Sequence, residues 1–276
     1  KPIYGNRYNS RSPRNVVQEL LHLKHLFNFD HIWFCDDIFG LKPGWVEEFA
    51  AEVRTAGLSF RFKIQSRADL LVKPGAAAAL ASAGCETVWM GAESGSQKIL
   101  DAMDKGITVA QIRQAVHLVK QYGMKPALFL QFGYPGETND DIQATVRMLF
   151  EVMPSDIGIS VSYPLPGTLF YENVKSDLQA KANWTDSDDL ALMFRSTYSP
   201  EFYKRLHRFV HKRFRARASF DSVRAIAVKP FSHGMSGIRA AAKKSVFGMY
   251  YSLGAAFDAV HLKFLYRTSK KVAGAP

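Results

Sequence analysis

Two cysteines in 276 residues leave little for cysteine chemistry to do. Cys35 and Cys85 stand far apart and form neither a disulfide framework nor a zinc motif. The ordinary expectation is two reduced, buried thiols in a cytosolic protein. Long apolar runs are missing too: the best stretch, Val246–Phe257, is too short and too interrupted to span a bilayer. There is no low-complexity tract, no P-loop and no dinucleotide fingerprint, since Gly91–Ser96 fits neither glycine pattern. Residue 1 is Lys rather than Met and no signal peptide precedes it, so a chain continuing upstream is expected.

Acidic residues are scarce in one region only. From Glu201 to Pro276 there are 16 Lys+Arg against 3 Asp+Glu, a net of +13, whereas residues 1–200 carry 20 against 22, a net of −2. The overall +11 therefore belongs to the C-terminal part, which suggests an anionic partner: a membrane surface, a nucleic acid or an acidic substrate.

What is present is a rhythm. Over the first 165 residues a helical segment, a short apolar run and a turn keep recurring. His31–Cys35, Phe60–Gln65, Thr87–Gly91, Pro126–Phe132 and Ile157–Ser162 read as five strands, from their aromatic and β-branched content and their alternation. Helices are predicted over Arg14–Phe27, Pro43–Ala56, Pro74–Ala83, Val109–Tyr122 and Asn139–Met153. Their ends carry the usual signals: Ser12 then Pro13, Thr108 and Thr138 at starts, and Gly57, Gly84 and Gly123 at stops. Strand–helix alternation with short links implies parallel strands joined by right-handed crossovers. A barrel, a partial barrel and a doubly wound sheet all satisfy this pattern, and each places its site at the C-terminal ends of the strands. Past Pro166 the rhythm fails: Leu178–Tyr198 is polar and turn-rich, and Pro200–Ala216 reads as a basic helix. His207 and His211 sit at i, i+4 on that helix, but Arg205, Arg208, Lys212 and Arg213 around them disfavour a cation, so packing is the expected role.

Polar groups follow each predicted strand: Asp36-Asp37, then Arg67 and Asp69, then Glu93-Ser94-Gly95-Ser96, then Gly133–Thr138, then Pro164–Thr168. Each alone is an ordinary turn or helix cap. Five in succession on one rim of a parallel sheet make a binding site the better reading.

These segments carry a resemblance. Trp33–Phe39 (WFCDDIF), Gly91–Ser96 (GAESGS) with Lys105–Thr108 (KGIT) following, Gly133–Thr138 (GYPGET) and Pro164–Thr168 (PLPGT) occur in the order and spacing of the radical S-adenosylmethionine (SAM) superfamily. They are most similar to the branch whose members often carry an N-terminal cobalamin-binding domain, with magnesium-protoporphyrin ester cyclases and hopanoid methylases among them. The resemblance covers about residues 1–170. It implies an α/β fold, a partial (β/α)6 TIM-like barrel over 1–170 lacking its first strand (strands 2 to 6), with a basic, mostly helical extension over 171–276.

The resemblance also implies chemistry. In that family a Cys-x3-Cys-x2-Cys motif after the first strand holds a [4Fe–4S] cluster, where SAM is reductively cleaved to a 5′-deoxyadenosyl radical. No such triplet occurs here; Lys1–Ser12 is similar to the segment that follows it, so the motif is expected upstream. By the same resemblance Asp36 and Asp37 receive the methionine ammonium, Glu93 and Ser94 the ribose hydroxyls, and Arg67 the methionine carboxylate. Gly133, Gly136, Glu137 and Pro166 belong to loops lining the adenine. No catalytic or metal-ligating residue is assigned within the chain. Implied cofactors are SAM, the cluster and, through an upstream domain, cobalamin. Implied partners are a small or lipid-like substrate and an electron donor such as flavodoxin or ferredoxin. A cytoplasmic enzyme with peripheral membrane contact through the basic tail is expected, and nucleic acid is not the expected partner. The outcome would be methyl transfer or oxidative cyclisation by the intact parent, with the fragment itself inactive. The alternative is a non-catalytic basic protein that binds a membrane surface or RNA.

Overall fold

Alternate residues of the second strand, Phe62, Ile64 and Ser66, are buried, while Arg61, Lys63 and Gln65 between them are not. The same period of two runs through Val88, Met90 and Ala92 of the third. One face of the sheet is thus covered and the other stays half-open. The computed structural model describes residues 8–178, 190, 192–228 and 234–273. In chain order its elements are α1 (Pro13–Phe27), β1 (His31–Trp33), α2 (Trp45–Thr55), β2 (Arg61–Ser66), α3 (Ala68–Leu71), α4 (Ala76–Ser82), β3 (Cys85–Glu93), α5 (Gln97–Ala102), α6 (Val109–Gln121), β4 (Lys125–Phe132), α7 (Asn139–Val152), β5 (Asp156–Val161), α8 (Leu169–Val174), α9 (Pro200–Val228) and α10 (Gly234–Ala273).

The strands stand in the order β1-β2-β3-β4-β5. Pairing is parallel from β1 to β4, with His31 opposite Arg61, Val88 opposite Ile64 and Ala127 opposite Trp89. This is an α/β partial barrel with crossover helices, the architecture expected. Differences are local. β1 stops at Trp33 rather than Cys35, and β3 extends two residues further at each end than expected. The helices α3, α5 and α8, of four, six and six residues, are too short to show a period.

The chain divides into two units. The first comprises residues 1–132, 138–159 and 164–173. Its covered face holds a cluster of aromatic rings: Phe62 lies 5.3 Å from Phe34, 6.0 Å from Phe49 and 5.4 Å from Phe60, centroid to centroid. Phe49 of α2 meets Phe62 of β2 edge-on, which packs α2 against the sheet, and Trp45 stacks on Phe49 within the helix at 5.2 Å. Ser12 caps α1 by accepting from the Asn15 amide, with Pro13 next, and Thr108 and Gln111 cap α6 reciprocally.

The second unit comprises 133–137, 160–163 and 174–276. Leu178 bridges to Phe194 in antiparallel fashion, and Leu190, Leu192, Met193 and Phe194 are buried. Residues 179–189 of the stretch read as polar and turn-rich lie outside the described residues, as do residues 1–7 of the segment matched to the family's cluster loop. The basic helix runs on past Ala216 to Val228, supported by the i, i+4 pair Arg217–Asp221. The run Val246–Phe257 lies inside the 40-residue helix α10. Among the described residues no helix is long and apolar enough to cross a membrane.

Candidate functional site

The half-open face of the first unit's sheet presents every second residue. Lys63 lies over the ring of its register partner Trp33, 3.9 Å from the centroid. Trp89 of β3 stacks on Phe129 of β4, 4.5 Å apart at 24°. Gly158 of β5 makes this possible, because a Cβ there would meet the Phe129 ring at 2.9 Å. The face is therefore apolar and planar at its centre.

At the C-terminal ends of β2 and β3 the character changes. Arg67 directly follows β2, and its Nη2 donates to the carbonyl oxygen of Lys105 at 3.1 Å. Lys105 Nζ in turn donates to Glu93 Oε1 at 2.5 Å. Two residues expected at the rim from sequence are thus joined through a third that was not assigned a role. Glu93 lies just past an irregularity in the β3–β4 register and has φ 55°, in the left-handed region that a non-glycine residue rarely adopts. Gly91 accommodates the pair, since a Cβ would come within 2.7 Å of Glu93 Oε1. Strain of this kind is held only where surrounding contacts enforce it, and it is frequent at ligand clamps.

Arg67 Nε is also bonded to Asp69 at 2.9 Å, so the side chain expected to meet a carboxylate already holds one. Ser94 is fully buried, and its hydroxyl is spent on Thr145 Oγ1 at 3.1 Å and on the Ser96 amide at 3.1 Å. It ties β3 to α7 rather than pointing outward. Gly95 closes that joint: its amide donates to Thr145 Oγ1 at 2.9 Å, and a Cβ would strike the Ala144 carbonyl oxygen at 2.6 Å. Ser96 donates to Asp141 Oδ1 at 2.6 Å, and the Thr138 hydroxyl to Asp141 Oδ2 at 2.7 Å.

Burial alone would raise the Asp141 pKa, but bonds from Lys98, Ser96 and Thr138 overcome it and hold the carboxyl well below the usual range. The folded pKa is depressed, so this group's stabilisation is complete above the unfolded value of about 4 and is lost as pH falls from there towards the folded pKa. Asp141→Asn is expected to cost about 1–3 kcal/mol at neutral pH and clearly less at about pH 2, well below the unfolded pKa. Urea unfolding at both pH values checks this; an equal loss at both means that the charge is irrelevant.

Asp36 and Asp37 follow β1 and are exposed. Asp36 borders a cavity of about 470 Å³ beside β1, lined also by Tyr8, Leu20, Trp33, Phe39 and Trp45. The Tyr8 hydroxyl is pushed up by burial and by the Asp36 charge, which places that carboxylate close to it. Pro166 is exposed in the turn closed by Thr168, whose amide and hydroxyl both bond the Leu165 carbonyl, at 3.2 and 2.7 Å.

Gly133, Gly136 and Glu137 belong to the second unit. Glu137 is wholly buried, and its Oε2 accepts from the Gly133 amide at 2.7 Å. Gly133 has φ 84° and packs against Leu192 and Tyr203. The Tyr203 hydroxyl bonds Ser196 at 3.0 Å, and Ser196 donates to the Gly133 carbonyl at 3.4 Å. Burial first, and the Glu137 and Tyr198 charges after it, raise the Tyr203 pKa and keep the phenol protonated. Glu137 therefore shapes its loop from within. The signal for it in sequence was the GYPGET motif; for Tyr203 there was none.

One expectation is corrected. Cys35 is exposed, because β1 ends before it, and only Cys85 is buried. Burial, with the neighbouring Glu86 charge, pushes the Cys85 thiol up to about 12. A [4Fe–4S] cluster needs several thiolates together. One exposed thiol and one buried, protonated one do not fit it, and no group of three or more metal-binding side chains lies among the described residues. The His207 and His211 rings lie 4.4 Å apart at 57°, and among the described residues no third metal-binding side chain joins them.

The model of the "Radical SAM superfamily" matches residues 2–149. The chain belongs to the radical SAM superfamily. Among curated relatives it is 29% identical over 182 residues to an uncharacterized methyltransferase of Pyrococcus horikoshii, covering 66% of this chain and 39% of that protein. It is 27% identical over 196 residues to the bacteriochlorophyllide d C-12(1)-methyltransferase of Chlorobaculum tepidum, covering 70% and 42%. The chain thus spans about two fifths of the length of the curated relatives it matches. The cobalamin-dependent SAM radical enzyme OxsB, solved with aqua-cobalamin, superposes with a TM-score of 0.56 at 16% identity over 87% of this chain and 42% of that one, a likeness of fold.

Proposed function

We propose that this chain is the SAM-holding part of a radical SAM enzyme whose intact form reductively cleaves SAM to functionalise an unreactive carbon. The Arg67–Lys105–Glu93 network carries the reading. It places an ionised acceptor, held in a rare backbone conformation, at the C-terminal edge of a parallel sheet. Glu93 takes the ribose diol as a hydrogen-bond acceptor, and Asp36, with Asp37 beside it, takes the methionine ammonium. Arg67 is the partner for the methionine carboxylate once Asp69 yields. Ser94 contributes by fixing the turn that aims Glu93. Gly133, Gly136, Glu137 and Pro166 keep their assignment to the adenine loops on the motifs alone. The stacked Trp89 and Phe129 offer a planar apolar wall to the substrate.

The cluster, which supplies the electron for cleavage, is assigned to residues outside these 276, as is any cobalamin domain. The boundary near residue 170 between SAM-holding barrel and basic extension is part of the same proposal. The names of the reported relatives support methyl transfer as the reaction; oxidative cyclisation, a small or lipid-like substrate and a flavodoxin- or ferredoxin-like donor rest on the family resemblance alone. The reading includes a cytoplasmic location with contact to a membrane surface through the basic C-terminal part.

Titration calorimetry of SAM against the chain is expected to show saturable binding. Glu93→Ala should weaken it by about 10- to 100-fold, the worth of a hydrogen bond to a charged group. Iron and sulfide reconstitution of this chain alone should yield no cluster and no 5′-deoxyadenosine. Unsaturable SAM binding by a folded chain, or iron near cluster stoichiometry, rejects the proposal.

A further inference from the structure

Helix α10 is apolar on two opposite faces. Gly248, Ala255 and Asp258 are buried on the side that meets α9, where a Cβ on Gly248 would strike the Phe220 ring at 2.9 Å. On the other side Val246, Tyr250, Leu253, Phe257, Val260 and Phe264 recur in steps of four and three and are all exposed, Leu253 at 74% and Val260 at 70%. At 1.5 Å per residue they form a stripe of roughly 27 Å. A contiguous apolar stripe of this size is rare on a soluble surface without a partner.

The charges around the stripe identify the partner. Arg239, Lys243, Lys263 and Arg267 are exposed on α10, and Lys204, Arg208, Arg215 and Arg224 on α9. The only carboxylate of α10 is Asp258, which is buried and bonded to Arg205 and Lys212 at 2.9 and 2.8 Å. No acid faces outward from α10. Pairing this face with a second copy would bring cations against cations. Aliphatic side chains alternate with the aromatics, which suits hydrocarbon rather than stacked bases. Between the helices a groove of about 330 Å³ adds apolar walls, Phe214, Phe247 and Tyr251, beside Arg215 and one further cation, Lys244.

We propose that the α9–α10 hairpin is a docking surface for an anionic lipid bilayer, with the Val246–Phe264 stripe of α10 lying along the boundary between headgroups and acyl chains. Apolar area and cationic flanks then act together, as in an interfacial amphipathic helix. This gives residues to the membrane contact in the proposed function, yet it does not depend on the SAM site, because flotation and SAM binding are separate readouts.

The test floats the full chain with vesicles of phosphatidylcholine alone and with about one third phosphatidylglycerol added. The chain is expected to float with the anionic vesicles, and less so as salt rises through the range where charges are screened. Leu253→Glu with Phe257→Glu should reduce flotation at least about tenfold while circular dichroism and SAM binding stay unchanged. Leu253→Asn, a milder change at the most exposed position, should show a smaller loss in the same direction. Four outcomes overturn the proposal. Two are absent flotation and flotation equal for wild type and the double variant. A third is a sedimenting dimer that the double variant dissociates, which makes a second copy the occupant. The fourth is binding of a single-stranded RNA oligonucleotide in preference to the vesicles.

Discussion

Asp258→Ala is expected to destabilise the helical hairpin by about 3–5 kcal/mol, because removing one partner of a buried ionic group leaves the others uncompensated. Asp258 is fully buried within an otherwise apolar stretch of α10. Burial would by itself raise its pKa, but Lys212 and Arg205 outweigh this and keep it ionised. Each of its oxygens has one cation: Arg205 Nη1 on Oδ1 at 2.9 Å and Lys212 Nζ on Oδ2 at 2.8 Å. Without the carboxylate, Lys212 and Arg205 of α9 lose their shared partner, and Arg205 keeps only its longer bridge to Glu201 at 3.4 Å. Replacing all three by Leu, Met and Met should recover most of the loss, since such triads gain little over well-packed apolar residues. Urea unfolding followed by helical ellipticity measures both. A loss under about 1 kcal/mol for Asp258→Ala would mean that water reaches the triad and screens it.

Phe62→Ala is expected to cost about 3–5 kcal/mol in the first unit. The ring is fully buried on the helix-covered face of β2. Four aromatic neighbours stand within 6.2 Å of its centroid: Phe34, Phe39, Phe49 and Phe60. Rigid rings collapse poorly into a void, which puts the site at the costly end of the range. Phe129→Ala serves as the comparison. That ring lies on the half-open face with 37% of its surface exposed, and its loss should cost about 1 kcal/mol, near the worth of its stack with Trp89. Comparable losses for the two would contradict the assignment of covered and open faces.

The contrast between those two phenylalanines also explains what the sequence made legible. Strands announced themselves because Phe62, Ile64 and Ser66, or Val88, Met90 and Ala92, recur every second residue. Helix starts were legible at Ser12-Pro13 and Thr108, where capping is local. Arg67 and Glu93 could be found because they sit directly at strand ends. Lys105 lay inside a quoted motif, but nothing local says that it bridges the two; that follows from the path taken after β3. The buried duty of Ser94 depends on Thr145, which no neighbour in sequence reveals. Cys35 looked buried because HIWFC reads as one apolar strand, whereas pairing with β2 leaves the end of that run outside. A mostly helical extension was expected over 171–276, but the bounds of α10 were not legible because apolar residues on both faces cancel its period. Asp258 gave no signal for the same reason, its partners being on a different helix.

The unequal cysteines give the molecule a built-in address for chemistry. A maleimide or a spin label meets one thiol that water reaches and another that stays protonated behind packed side chains. Because Cys35 lies among the residues around the cavity that Asp36 borders, a probe attached there sits beside the proposed ammonium subsite without any engineered mutation.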